Sequence, residues 1–211
     1  MKKLLYSLFF YALTGLGISL TIKANIGVSS FNSLNLSLSL ISGIKVGTVT
    51  SLVNGAFIIL YMILTGLKQR KEYISQGVSV YALGLVINFF VYTVFVNVNL
   101  NSYLSQVICF IMGVCISGFG TGMVLNLRVL AFPIESVCRI VSEKTKVSFM
   151  KLRYIVDIIC ISASLVITSL TNSDLFIREG TVLSLFLLSF VIGITKKTYE
   201  KMPHPKSLES I

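Results

Sequence analysis

Seven residues are the candidates for whatever chemistry this chain performs: Asn25, Ser29, Asn32, Asn54, Arg128, Glu135 and Asp157. They are set in a 211-residue chain that is 55% hydrophobic and only 12% charged. Polar groups placed in hydrocarbon without partners are costly, so such residues mark pathways and binding sites. Arg128 suits an anionic group, Glu135 a cation or a proton, and the amides and hydroxyls a polar solute. Together they are expected to line a substrate site. Asn54 and Asp157 stand 103 residues apart, at the same place in two spans. Two readings of Asp157 stand side by side. It faces the shared site, or it forms an i,i+4 ion pair with Arg153 near an interface. Arg128 and Glu135 are open to the same choice between a site and ordinary interfacial charges.

Catalysis is not expected. The one histidine, His204, lies between Pro203 and Pro205 in a polar tail, and acids are few. No Ser-His-Asp, Cys-His or paired-carboxylate set can be assembled from this sequence. Cys109, Cys115, Cys138 and Cys160 have neither metal-ligand spacing nor an extracellular pair, so packing is their expected role. No metal or cofactor is implied. Gly118, Gly120 and Gly122 resemble part of a dinucleotide loop, but no soluble strand precedes them and no acid follows about 20 residues on. Read as membrane helix, Gly118 with Gly122, Gly113 with Ser117 and Gly15 with Ser19 are small-xxx-small pairs for close packing. Asn88 is expected to make an interhelical hydrogen bond.

The elements that must position these residues are apolar spans. Mean hydropathy is +0.87, and six segments of about 20 residues are long enough to cross a bilayer: 4–22, 46–66, 78–96, 104–127, 154–170 and 181–195. The first follows Lys2 and Lys3 but is too long for a signal-peptide core and is read as an uncleaved span. Displacing the sequence by 103 residues superposes Gly15 on Gly118, Gly17 on Gly120, Ser33 on Ser136 and Gly77 on Gly180. Each copy has three spans, and an odd number turns the second copy over. The expectation is an all-α membrane protein of six transmembrane helices in two inverted three-helix repeats, residues 1–98 and 103–197, with a cytoplasmic tail at 198–211.

The formal net charge of +10 sits between the spans, which points to topology and anionic lipid headgroups and not to nucleic acid. With the N-terminus inside, only Lys23, Lys45 and Arg178 of the 18 Lys and Arg fall outside. Both termini are therefore expected in the cytoplasm, in the cell membrane.

After the first span of each half comes a long polar connection. Leu alternates with Asn and Ser over 34–40, a strand-like period, but an open strand edge is untenable in a membrane. A short interfacial or re-entrant helix is expected instead. In the second half, Val137, Ile140 and Val141 recur at helical spacing among Arg139, Glu143 and Lys144, which predicts an amphipathic helix at the cytoplasmic surface, with Pro133 near its start. Interrupted polar segments at matching positions of two halves point to a binding site in an inverted-repeat carrier; an ordinary turn would look similar.

Ala24, Gly27, the 30–32 stretch, and Gly43 with Gly47, followed in the second half by Arg128, Pro133 and Glu135, resemble the YczE-like group of bacterial membrane proteins (the YczE/YyaS/YitT grouping). The resemblance runs from about Gly15 to Thr195. It departs from the group's pattern where Ser30, Phe31 and Asn32 replace Pro-aromatic-Asp. It implies the fold and no assigned activity. Three functions remain open: a small-solute or ion carrier with a polar cavity between the repeats; an accessory membrane protein docking a partner protein at the cytoplasmic face; and the substrate-binding subunit of a multi-subunit importer.

Overall fold

The computed structural model describes residues 2–127, 130, 132–171 and 175–201. Arg128 and the residues of the C-terminal tail beyond 201 lie outside them. The described chain is helical: α1 (Lys2–Ala24), α2 (Ser30–Ser42), α3 (Val46–Thr65), α4 (Arg70–Phe89, continued by a π-helical turn at Phe90–Val94), α5 (Tyr103–Leu127), α6 (Pro133–Thr145), α7 (Phe149–Thr171) and α8 (Glu179–Lys201). All but α2 and α6 are long and apolar enough to cross a membrane. These two have 13 residues each and so reach about 20 Å, short of the roughly 30 Å hydrocarbon core. Ile63, Leu170 and Phe186 are 71%, 80% and 72% exposed, the surface that an apolar solvent requires.

Three expected boundaries shift. The third span begins at Arg70, not residue 78, because Gly66 ends α3 in the left-handed region (φ 63°) and the turn is tight. The fifth begins at Phe149 and the sixth runs on to Lys201. The segment around 34–40 is a helix, as the membrane argument requires and its period-2 pattern does not.

The element boundaries recur at the displacement seen in the sequence. α1 and α5 end at Ala24 and Leu127, α2 and α6 cover Ser30–Ser42 and Pro133–Thr145, and α3 and α7 begin at Val46 and Phe149. Both short helices stop on a left-handed residue, Gly43 (φ 68°) and Lys146 (φ 60°), which closes the last turn. Pro133 opens α6 at its first turn, where a missing N–H is harmless.

Small residues bring the spans together. α1 and α5 cross backbone to backbone: a Cβ on Gly17 would lie 2.4 Å from the Ser117 amide nitrogen and 2.6 Å from the Gly113 carbonyl. α3 and α4 meet in the same way at Gly47 and Gly84. Asn88 makes the expected interhelical bonds, accepting from the Gly47 amide at 2.9 Å and donating to Thr48 Oγ1 at 2.9 Å. α4 flanks α1, and α8 flanks α5. Each short helix packs on a span from the other half, α2 on α7 and α6 on α3, as well as on its own neighbour.

Candidate functional site

The break between α1 and α2 frees carbonyls that must find donors. Gly27 turns the chain at φ 116°. The Asn25 carbonyl accepts from Arg178 Nη1 at 2.9 Å, and the Ile26 carbonyl from the Gly180 amide at 2.9 Å. The first turn of α8 thus closes the open end of α1. Asn25, Gly27 and Leu36 border a small cavity of about 50 Å³ with Leu175 and Phe176.

Past the break, α2 is built inside out. It buries Ser30, Asn32, Ser33, Asn35 and Ser37, while Leu34, Leu36 and Leu38 are only half-buried and Leu40 and Ile41 exposed. In water the apolar face would turn inward; in lipid the polar side chains must find protein. They find α7. Ser30 Oγ donates to Asp157 Oδ1, and Ser37 Oγ pairs with Ser164 Oγ at 2.8 Å and Thr168 Oγ1 at 3.5 Å. Ser30 and Ser37 are seven residues apart, as are Asp157 and Ser164, so one polar stripe on each helix meets the other over two turns.

Asp157 makes the i,i+4 ion pair and has a further partner across the halves. Arg153 Nη2 lies 3.4 Å from its Oδ1, and α2 supplies a second partner. The other arm of that guanidinium, Nη1, is buried with no partner among the described residues. Glu135, half-buried in the first turn of α6, forms neither an ion pair nor a side-chain hydrogen bond among the described residues, but feels the charges of Arg153 and Arg139. Burial pushes its carboxyl above the ordinary 4.5, against the opposing pull of the two arginines. Tyr11, 1% exposed, stacks on Phe132 at 4.6 Å, and its hydroxyl is unpartnered among the described residues.

The predicted residues do not all meet. Asp157, Arg153 and Ser30 form one cluster, and Glu135 stands in the first turn of α6, which packs on α7. Ser29 caps α2 beside that cluster, its carbonyl accepting from the Ser33 amide at 2.8 Å. Asn32 is buried on α2. Asn54 is 4% exposed, with Nδ2 turned back to the Thr50 carbonyl at 2.9 Å, a local bond that does not join it to Asp157. Asn25 belongs to the α8 junction through its backbone. Arg128 is outside the described residues. The α6 helix departs from the expected surface position: Pro133, Ile134, Ser136, Val137 and Cys138 are buried and only its later turns are exposed, because Gln76 of α4 donates to Ser136 Oγ at 2.9 Å and holds its first turns inside.

Sequence reasoning passed over Ser37, Ser164, Thr168, Tyr11 and Asn35, and took Arg153 only as an ion-pair partner of Asp157 and Ser30 only as a departure from the family pattern. Asn35 is the most demanding of them, fully buried with both amide atoms unpartnered among the described residues. The seven-residue spacing of Ser30 and Ser37 equals that of Asp157 and Ser164, but only the packing of α2 on α7 joins the two pairs.

Two relatives match this chain, one of them named as a membrane protein. It is 33% identical over 147 residues to a Bacillus subtilis (strain 168) protein named "Uncharacterized protein YyaS", covering 69% of this chain and 71% of that one. It is 30% identical over 130 residues to the "Uncharacterized membrane protein YczE" of the same organism, covering 61% of this chain and 58% of YczE. The resemblance drawn from the sequence motifs is thereby borne out. No solved structure matches. A family model described as "Family of unknown function (DUF6198)" matches residues 1–197. With six membrane-length helices and these relatives, the chain is a multi-pass membrane protein and belongs to the DUF6198 family.

Proposed function

We propose that the protein is a small carrier or permease that moves a small polar solute or ion through a cavity between two inverted three-span halves. The observation that carries this reading is α2: a short helix within the membrane domain, with its polar residues turned inward onto the other half and the Asn35 amide left without a partner among the described residues. A helix serving only to fill space in lipid would bury leucine there. Buried polar groups in proteins are nearly always satisfied, by protein, water or ligand. The recurrence of element boundaries 103 residues apart and the exchange of α2 and α6 between halves support an inverted repeat, the architecture in which one half rocks against the other around a fixed site. The charge distribution supports cytoplasmic termini and a cell-membrane location.

An accessory role is favoured by one feature only, the exposed basic edge formed by Arg139, Lys144, Lys146 and Lys151, which suits a partner protein at the cytoplasmic face. Purified protein alone in liposomes separates the two in a screen of solute and ion flux. Flux that is lost in Asp157→Ala and kept in Arg139→Ala supports the carrier. Absence of flux, with a protein that co-purifies, supports the accessory role.

A further inference from the structure

Where α3 ends, an apolar groove of about 430 Å³ opens on the surface of the helix bundle, lined by Ile59, Met62, Ile63, Gly66 and Leu67. Ile59, Ile63 and Leu67 are 60%, 71% and 56% exposed, and α3 is a membrane-length span, so the groove faces acyl chains. From Ile59 to Gly66 it follows the helix for about 10 Å. A turn closes it, in which Gly66 and Leu67 both take positive φ, 63° and 61°, and their amides bond back to the Ile63 and Met62 carbonyls. The Leu64 carbonyl, one of the four that a helix leaves open at its C-terminus, accepts instead from Lys144 Nζ of α6. An ammonium has three donors, and this contact uses one. Lys144 is exposed and forms no ion pair among the described residues.

Lys68 follows Leu67 directly, and Arg70 and Lys71 open α4 at the same end of the bundle; all three are exposed and without an ion pair among the described residues. The neighbouring acid, Glu72, is engaged elsewhere: its Oε2 accepts from the Tyr61 hydroxyl at 3.1 Å and its Oε1 from Gln76 Nε2 at 3.5 Å. Glu143, exposed on α6, pairs with no cation among the described residues. An apolar slot that runs along a span and ends at unpaired cations is complementary to a lipid with an anionic headgroup. A second copy of this chain suits it less, since a two-fold contact at this patch would bring Lys68 and Lys144 against like charges.

We propose that this groove and the lysines at its end bind one anionic phospholipid, with an acyl chain lying against Ile59 and Ile63 and the phosphate held between Lys144 and Lys68. The site ties the end of α3 to α6 through the lipid as well as through the Leu64 carbonyl. It stands independently of whether the protein transports a solute.

Native mass spectrometry of the purified full chain in mild detergent, titrated with phosphatidylglycerol or phosphatidylcholine of identical chains, tests the site. One phosphatidylglycerol should be retained at concentrations where phosphatidylcholine is not, each lysine of the site adding about fivefold to the preference. Lys68→Gln combined with Lys144→Gln should lower the preference about 25-fold. Lys196→Gln combined with Lys197→Gln, which removes two exposed lysines near the end of α8, should leave it. Ile63→Trp fills the groove from an exposed position and should weaken retention while the unfolding midpoint stays in place. Glycerol 3-phosphate, a headgroup without chains, should not displace the lipid. Equal retention of the two lipids, equal losses in the two lysine pairs, or full retention in Ile63→Trp would overturn the proposal. Displacement by glycerol 3-phosphate would overturn it in favour of a soluble-phosphate site, and a protein dimer that excludes the lipid would do so in favour of a second copy. If Lys144→Gln does not fold, Lys144→Arg should keep the preference and Lys68→Gln alone should lower it about fivefold; failure of either result overturns the site.

Discussion

Replacing Gly17 by alanine places a methyl group where α1 and α5 already touch backbone to backbone. The new Cβ would lie 2.4 Å from the Ser117 nitrogen, 2.6 Å from the Gly113 carbonyl oxygen and 2.8 Å from the Ser117 Cα. None of these is the end of a flexible side chain. Relief requires the two helices to separate by about 1 Å, which thins every contact along the crossing. Overpacking of well-packed interiors costs about 1–3 kcal/mol. With rigid backbone on the far side, the upper end applies, and about 3 kcal/mol is roughly a 150-fold shift in an equilibrium. Gly193 has nothing within 4 Å of a Cβ, so Gly193→Ala is the control, neutral or gaining up to about 1 kcal/mol in a helix interior. Reversible unfolding in mixed micelles of mild and denaturing detergent reads both variants. A Gly17→Ala protein as stable as Gly193→Ala would refute the backbone crossing of α1 and α5, on which the placement of every other helix depends.

Removing the α2 side of the Asp157 pair by Ser30→Ala should cost about 1.5–3 kcal/mol, the range for hydrogen bonds to charged groups, read in the same unfolding assay; no loss would mean that α2 is not held there. The raised Glu135 carboxyl makes the folded state bind its proton more tightly than the unfolded chain does. Its stabilisation is therefore complete below the ordinary value of 4.5 and is lost as pH rises through the folded value. Thermal stability against pH should accordingly fall more steeply above 4.5 in the wild type than in Glu135→Gln, and parallel curves would contradict the assignment. Reporter or cysteine labelling after residues 70, 100, 146, 175 and 205 should read in, out, in, out, in; a cytoplasmic Asn101 would remove the inverted-repeat argument.

The spans and the displacement of 103 residues are legible because apolar length and repetition are local properties of the chain. The helical state of 34–40 was reached by excluding an open strand edge in lipid, against its own alternation. What the sequence hides is pairing across the halves. Asp157 is marked by its rarity within a span, but nothing local identifies Ser30 as its partner, since serine is common in α2 and only the packing of α2 on α7 selects it. Arg153 read most simply as a salt-bridge partner, and its unused arm is visible only once the helices are packed. Asn54 shows the reverse: its symmetric position suggested a shared role, yet its amide folds back on Thr50 because i,i−4 carbonyls are the nearest acceptors along its own helix. The burial of α6 was missed because Arg139, Glu143 and Lys144 mark only its later turns, while Gln76 and Ser136 fix its first ones.

In the carrier we propose, the buried polar core around α2 opens to both sides of the membrane in turn. Asn35 is the residue to watch, fully buried and without a partner for either amide atom among the described residues. With Cys109, Cys115, Cys138 and Cys160 replaced, Asn35→Cys in oriented liposomes can be challenged with a membrane-impermeant thiol reagent added outside or trapped inside. A carrier should be labelled from each side, slowly because the site is closed most of the time, and protected from both sides by a transported solute. Labelling from one side only, or from neither, would contradict it.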